Sequence, residues 1–572
     1  MTKNPGRFES KIRFRWWWLI VVLVVTQGAL EIYSAALRGP FLFDDFSLPF
    51  YAPLTRTSQL SAWVHGVRPL LMFSYWINYI LSGQETLWYH IFNVLFHTIN
   101  AFLVCGITWR LLGMANVWDW RREILAAFAG ALFLVHPIQT ESVAYVAGRS
   151  ESLSALFYLL AFAIYLSRPP REIGWKRAVL VLLLSGAAVS TKEHTLTLPV
   201  ALLLTDIFWS EYSPSRVIRR NWRLYYPLAA GAMLGAVFVW SVLSRASTAG
   251  FRVPGVTWYS YLLTQFRVIF VYIRLFVFPA GQNLDYDISL STVSDPVAWA
   301  GLAVLAILTL AAYRYRQEFP LPAYGWFLFL LLLAPTSSIV PIQDPIAERR
   351  LYLPILGLLL VTVGFLARLK APSRVALASS LSAVLIVAAV LAYQRNTLWG
   401  SEAAIWEDTL AKSPNKRRDF PHLVHGYVSE HRCNEALQRL ESYTQRNPLD
   451  SVLLIHWAYA CECLNQRDAA AAKLEQAAGM SEDPSVLLMI AQQQMRLRSP
   501  AKAVDALNRV VRINPGLETA YLLRGDAYLQ EGRTLMAAED YRRALRVNPA
   551  NDRVRAQLQR MRDLFGLLQV GN

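Results

Sequence analysis

Two adjacent carboxylates, Asp44 and Asp45, sit in the stretch FLFDDF just beyond the first apolar run of a chain rich in such runs. A charged group beside hydrocarbon loses hydration, so an acidic pair at the mouth of a bilayer points to function. Like charge and partial desolvation raise the pKa of one member, which suits it to take a proton from an attacking hydroxyl. Asp45 is the favoured base, with Asp44 orienting it. A second constellation lies in IQDPIAERRLYLP, where Glu348, Arg349, Arg350 and Tyr352 follow Asp344. Guanidinium grips phosphate oxygens bidentately, so Arg349 and Arg350 are the first candidates to hold an anionic leaving group, with Arg149, Arg68 and Lys192 behind them. His136 and Glu141 in HPIQTE, and Glu193 and His194 in STKEHT, complete the set. Plainer readings stand beside these. His136-Pro137 can end a helix, Glu141 and Arg149 can form an ion pair, Arg349-Arg350 can anchor lipid phosphates, and Asp285-x-Asp287 reads as a turn. A divalent cation such as Mg or Mn at Asp44 and Asp45 is allowed, although nothing in the spacing demands one.

These residues need a membrane body to position them. The chain has 572 residues, 55% hydrophobic and 13% aromatic, with mean hydropathy +0.30, too apolar for a soluble protein of this length. Eleven spans are expected, at 16–36, 88–110, 123–137, 149–167, 176–191, 195–210, 224–244, 297–314, 321–336, 351–368 and 374–393. Five basic loops are expected inside: Arg110, Arg121 and Arg122; Arg168, Arg171, Lys176 and Arg177; Arg216, Arg219, Arg220 and Arg223; Arg314 and Arg316; Arg368, Lys370 and Arg374. The N-terminus, with Lys3, Arg7, Lys11, Arg13 and Arg15, is placed inside too. The apolar run from Trp16 lacks a small-residue cleavage site, which makes it an uncleaved span. Loops 37–87, 136–149, 192–195, 245–296, 336–350 and everything after 394 then face outward, so the acidic pair and the double arginine should meet on one side. The stretch 258–279 carries Arg267 and Arg274 on one helical face and is expected to lie at, or re-enter, the outer interface. The formal charge of +16 is in large part this topology, which argues against nucleic acid as a partner.

The polar remainder is periodic. Prolines at 414, 448, 484, 515 and 549 are 34, 36, 31 and 34 residues apart, the period of tetratricopeptide repeats. Gly525, Tyr528, Ala537, Tyr541, Ala544 and Pro549 mark the last unit, and Ala436, Ala472 and Ala503 are expected at the close-packed position of earlier ones. Residues 550–567 read as a capping helix. Stacked units make a solenoid with a groove, suited to an extended polypeptide or to assembly alone. Cys433 and Cys463 fall at neighbouring helix ends, where a disulfide and a buried free thiol are equally compatible with the sequence. Cys461-x-Cys463 has no His partner at zinc-ligand spacing.

The expected fold class is all-α: a polytopic bundle over 1–400, then an exterior repeat solenoid over 401–572. Taken together, FLFDDF after the first span, RPL with Ser74 and Asn78, YHIFN with His97, HPIQTE with GRSE, TKE, LDYD and AERRLYLP before the repeats resemble the transmembrane and tetratricopeptide-repeat family of O-mannosyltransferases, within the wider GT-C glycosyltransferases. That resemblance implies a bacterial relative in the inner membrane that moves a sugar such as mannose from a polyprenyl-phosphate donor to a Ser or Thr hydroxyl of a protein or peptide held by the groove. Asp44 and Asp45 would be catalytic, Arg349, Arg350, Arg149 and Lys192 would meet the donor phosphate, and Arg68, His136, Glu141, Glu193, Glu348 and Tyr352 would bind substrate. A non-enzymatic platform for envelope or pilus assembly fits the repeats equally but leaves the acidic pair unexplained. A transporter is disfavoured because the charges lie in loops rather than near mid-span.

Overall fold

A computed structural model describes residues 17–50, 60–64, 66–167, 172–246, 248–369, 373–549 and 551–565. Lys3, Arg7, Lys11, Arg13, Arg15, Arg168, Arg171 and Lys370 lie outside the described residues. Among those described, every named element is helical, and the one β contact is an isolated antiparallel bridge between Ala249 and Ile342. The chain is a multi-pass membrane protein with a helical tail.

Among the described residues, five helices are long and apolar enough to cross a bilayer: Thr86–Met114, Trp222–Leu243, Trp258–Val277, Pro296–Arg314 and Arg374–Leu398. A sixth candidate is the pair Arg121–Val135 and Pro137–Ala144, bent by 48°. The bend has a local cause, since Pro137 offers no N–H to continue the ladder and the His136 ring accepts from Ile138 N instead. Several of the eleven expected spans are shorter than a bilayer requires. Trp258–Val277, expected to lie at or re-enter the interface, is one continuous 20-residue helix, long and apolar enough to cross. Its basic residues are satisfied by the segment that follows, Arg267 by Asp295 and Ser291 and Arg274 by the Ala280 carbonyl.

Pro320–Leu333 and Ile355–Leu366 are shorter still, at 14 and 12 residues. The longer spans only about 21 Å, against a hydrocarbon core of about 30 Å. They cross at glycines, where a Cβ on Gly325 would lie 2.6 Å from the Gly357 carbonyl oxygen and one on Gly357 2.5 Å from Phe329 N. Small residues let helix backbones touch in this way. The loop between the two helices carries Arg349.

The tail comprises Glu402–Lys412, four helix pairs (Phe420–Ser429 with Cys433–Thr444, Ser451–Cys463 with Arg467–Met480, Pro484–Arg496 with Pro500–Ile513, Glu518–Gln530 with Thr534–Val547) and Asp552–Phe565. The turn inside each pair puts one residue in the left-handed region: His431, Asn465, Arg498 and Gly532, at φ 58–75°. The fourth residue of the second helix in each pair is a fully buried alanine: Ala436, Ala470, Ala503 and Ala537. Ala470 therefore replaces Ala472, which is exposed. The 36-residue gap between Pro448 and Pro484 misled the proline-based register by two residues. Cys433 and Cys463 are disulfide-bonded across the first two pairs, with Cα atoms 5.8 Å apart, within the range the bond needs.

The hydrophobic core of the membrane body does not stop at residue 400. It continues through Ile405, Trp406, Phe420, Leu423, Tyr427 and Leu440 as far as Leu453 and Ala460, whereas a separate cluster with members from Leu454 to Met561 holds the rest of the tail. Polar contacts seal the same junction. Asp285 pairs with Lys416 and Arg418, Asp287 accepts from Asn415, and Asn283 donates to Ser413.

Candidate active site

The acidic turn is a 3-10 helix, Phe43–Ser47, after extended Leu42. Asp45 is fully buried. Its Oδ2 accepts from Leu42 N at 2.9 Å and its Oδ1 from Ala147 N at 2.7 Å, tying the turn to the segment after Glu141. Burial pushes the Asp45 carboxyl up, the two main-chain donors oppose that, and Asp44 adds to it. Asp44 differs in every respect. Its side chain is 53% exposed, and Oδ2 stands 4.0 Å from Arg349 Nη2. Of the pair, Asp45, the member expected to be the base, is enclosed and bonded to main-chain N–H groups, whereas Asp44 is the one open to solvent.

Arg349 joins the late loop to this turn. Its main-chain N–H donates to Glu141 Oε2 at 2.9 Å, and its Nη1 to Glu141 Oε1 at 2.5 Å. Burial works against charge on Arg349, but Glu141, Tyr145 and Asp44 outweigh it and raise its pKa further. Lys192 is paired with Glu151 and donates to Ser150, His194 stands 3.8 Å from Glu151, and Arg68 grips Glu193 through two 2.9 Å bonds. Burial lowers the Lys192 pKa, Glu151 opposes that, and Arg68 and Arg349 are near enough to lower it further. The structure thus brings Asp44, Glu141, Arg349, Lys192, Glu193 and Arg68 into one electrostatic neighbourhood. Contact between Asp44 and Arg349 places the two loops on the same side of the bilayer whatever the number of spans.

Other expected residues are committed elsewhere. Arg149, fully buried, donates to Asn93 Oδ1, Asn78 Oδ1 and the Ser74 and Tyr89 carbonyls, and lies over the Tyr75 ring. Arg350 braces its own loop through the Asp344 and Pro345 carbonyls. His136 stacks on Phe276 and bonds its carbonyl. Glu348 accepts from Gln282, Asn283 N and Tyr286, and the Tyr352 hydroxyl is enclosed by His97 and Asn100. Each of these five side chains is engaged by its own neighbours rather than by Asp44 or Arg349. Among the described residues no group of three or more His, Cys, Asp or Glu side chains could hold a metal ion, and both Asp45 oxygens already accept main-chain N–H groups.

Sequence reasoning missed Tyr145, whose hydroxyl accepts from Asp44 N at 2.6 Å, and Asn93, which orients Arg149. Asn93, His97 and Asn100 recur at helical spacing on Thr86–Met114, and that polar stripe on an apolar helix was the available signal. In the tail, a cavity of about 540 Å³ is lined by His425, Ser429, Tyr459, Glu462 and Arg496 beside the disulfide.

A family model described as tetratricopeptide repeat matches residues 518–551. The chain is 24% identical to "Protein O-mannosyl-transferase TMTC3" of Mus musculus, over 93% of this chain and 64% of the relative. It is also 24% identical to "Protein O-mannosyl-transferase F38B6.6" of Caenorhabditis elegans, over 73% and 61%. It spans about three fifths of the length of these relatives. Among solved structures, ArnT from Cupriavidus metallidurans bound to undecaprenyl phosphate is 16% identical, with 81% of this chain and 80% of that one covered at a TM-score of 0.35. That overlap is too loose to superpose one site on the other.

Proposed function

We propose that this chain, whose homologues are protein O-mannosyl-transferases of the transmembrane and tetratricopeptide-repeat type, is an integral membrane glycosyltransferase of GT-C type. It moves a hexose such as mannose from a polyprenyl-phosphate carrier to a Ser or Thr hydroxyl of a protein bound by the repeats. The reaction takes place on the exterior face of a bacterial cytoplasmic membrane. One observation carries the reading: a half-exposed carboxylate, Asp44, faces a guanidinium, Arg349, that Glu141 keeps charged.

Asp44 takes the proton of the acceptor hydroxyl as its oxygen attacks the anomeric carbon. The bond from that carbon to the lipid-phosphate oxygen breaks, and the departing phosphate keeps the electron pair. Arg349 meets the developing charge, with Lys192 and Arg68 behind it. A single displacement with one base inverts the anomeric centre. The Cys433–Cys463 disulfide supports an oxidising exterior for the tail.

The test is transfer by the chain in lipid from polyprenyl-phosphate mannose to a Ser/Thr peptide. Wild type should transfer with inversion, and Asp44→Asn should lose about 10²- to 10⁴-fold. Retained configuration, or full activity in Asp44→Asn, would overturn the assignment.

A further inference from the structure

The Asp44 carboxylate is half exposed, so its aim is set by its main chain. The preceding residue, Phe43, has φ +45°, a left-handed conformation that a bulky residue keeps only when its surroundings over-determine it. Those surroundings come from the tail. The Phe43 ring meets His422 edge-on at 5.3 Å and Trp406 at 5.9 Å, and His422 stacks on Trp406 at 4.8 Å. Phe46, on the other flank of the acidic pair, meets His425 edge-on at 5.6 Å. From the membrane side, Tyr145 holds Asp44 N through its hydroxyl and stacks its ring on buried Trp399.

We infer that Phe43 is a positioning residue. Caged by Trp406 and His422, its ring locks the acidic turn in the left-handed form that aims the Asp44 carboxylate. The head of the tail is then part of the catalytic apparatus and not only an acceptor-binding attachment. Edge-to-face rings of this kind fix geometry as well as burying area. The inference rests on Asp44 being the base, so its test must separate the two.

The full chain in lipid is assayed with polyprenyl-phosphate mannose and a short Ser/Thr peptide, and kcat and both KM values are measured. Phe43→Gly keeps the left-handed turn accessible and deletes the ring, whereas Phe43→Tyr keeps the ring. Phe43→Gly and Trp406→Ala should each lower kcat by about 10- to 100-fold, with each KM within about 3-fold of wild type. The double variant should be no worse than the poorer single one, and Phe43→Tyr should hold wild-type kcat. If Trp406→Ala loses its tertiary structure, His422→Ala removes the other wall of the cage and should give the same split. Unchanged kcat in Phe43→Gly, a loss confined to KM, failure of Phe43→Tyr to preserve kcat, or full additivity in the double variant overturns the cage. Asp44→Asn is run alongside. If it is inactive while Phe43→Gly is fully active, the cage falls and sugar transfer stands. If wild type transfers nothing, sugar transfer falls and the cage with it; if Asp44→Asn transfers normally, sugar transfer stands, Asp44 is not the base, and the cage falls.

Discussion

The head of the tail and its last helix pair each cross at a glycine but belong to different cores. A Cβ on Gly426 would meet Ala403 N at 2.7 Å, and one on Gly525 would meet the Tyr541 ring at 2.7 Å. The residues around Gly426 share the core of the membrane body, and those around Gly525 pack only within the tail cluster. A repeat unit buries its apolar face against whatever is next to it. At one end that neighbour is another repeat; at the other it is the loop bearing Asp44.

The sharpest way to break this contrast is at the far end. Arg524 is bidentate to buried Asp540, with two 2.7 Å bonds. Arg524→Ala strands that carboxylate and should cost about 3–5 kcal/mol in chemical unfolding of the tail, while short-peptide transfer stays near wild type. Falling transfer would show that the two ends are not independent.

The two glycines come next. Each Gly→Ala change overpacks a crossing, at about 1–3 kcal/mol. Gly426→Ala should also cut short-peptide turnover, by about tenfold, and Gly525→Ala should not; equal turnover in both removes the distinction. Asp45→Asn should lower the melting temperature through one orphaned N–H, about 1–3 kcal/mol, because Asn offers a single acceptor oxygen.

The smallest effect is a pH slope at the head. Asp419 is buried beside Asp285, near Lys416 and Arg418, and burial first, then Asp285, raises its pKa to about 8. The folded state therefore holds a proton that the unfolded chain releases near pH 4, so this contribution to stability declines as pH rises from about 4 to about 8. Asp419→Asn should flatten that part of a melting-temperature profile.

Much of this was legible in residue types. Apolar runs, the 34-residue period and the pairing of FLFDDF with AERRLYLP are one-dimensional signals, and each survives as a helix, a repeat or a contact. What was not legible is which member of a like pair faces outward. Asp44 and Asp45 are chemically identical, and only the turn geometry, with Ala147 N reaching Asp45, separates them. The same holds for Arg349 against Arg350, adjacent in sequence and turned to different partners. Phe43 gave no signal at all, because its strain is imposed by residues more than 350 positions away.

Where Pro320–Leu333 and Ile355–Leu366 cross, glycine main chains touch, and Arg349 stands eight residues before Gly357. The turn Glu348–Leu351 runs almost directly into the second helix, leaving little slack. A helical residue adds 1.5 Å of rise and about 100° of rotation, so one inserted there would swing Arg349 away from Glu141 and Asp44. Descendants of this sequence can exchange side chains along that stretch far more freely than they can change its length.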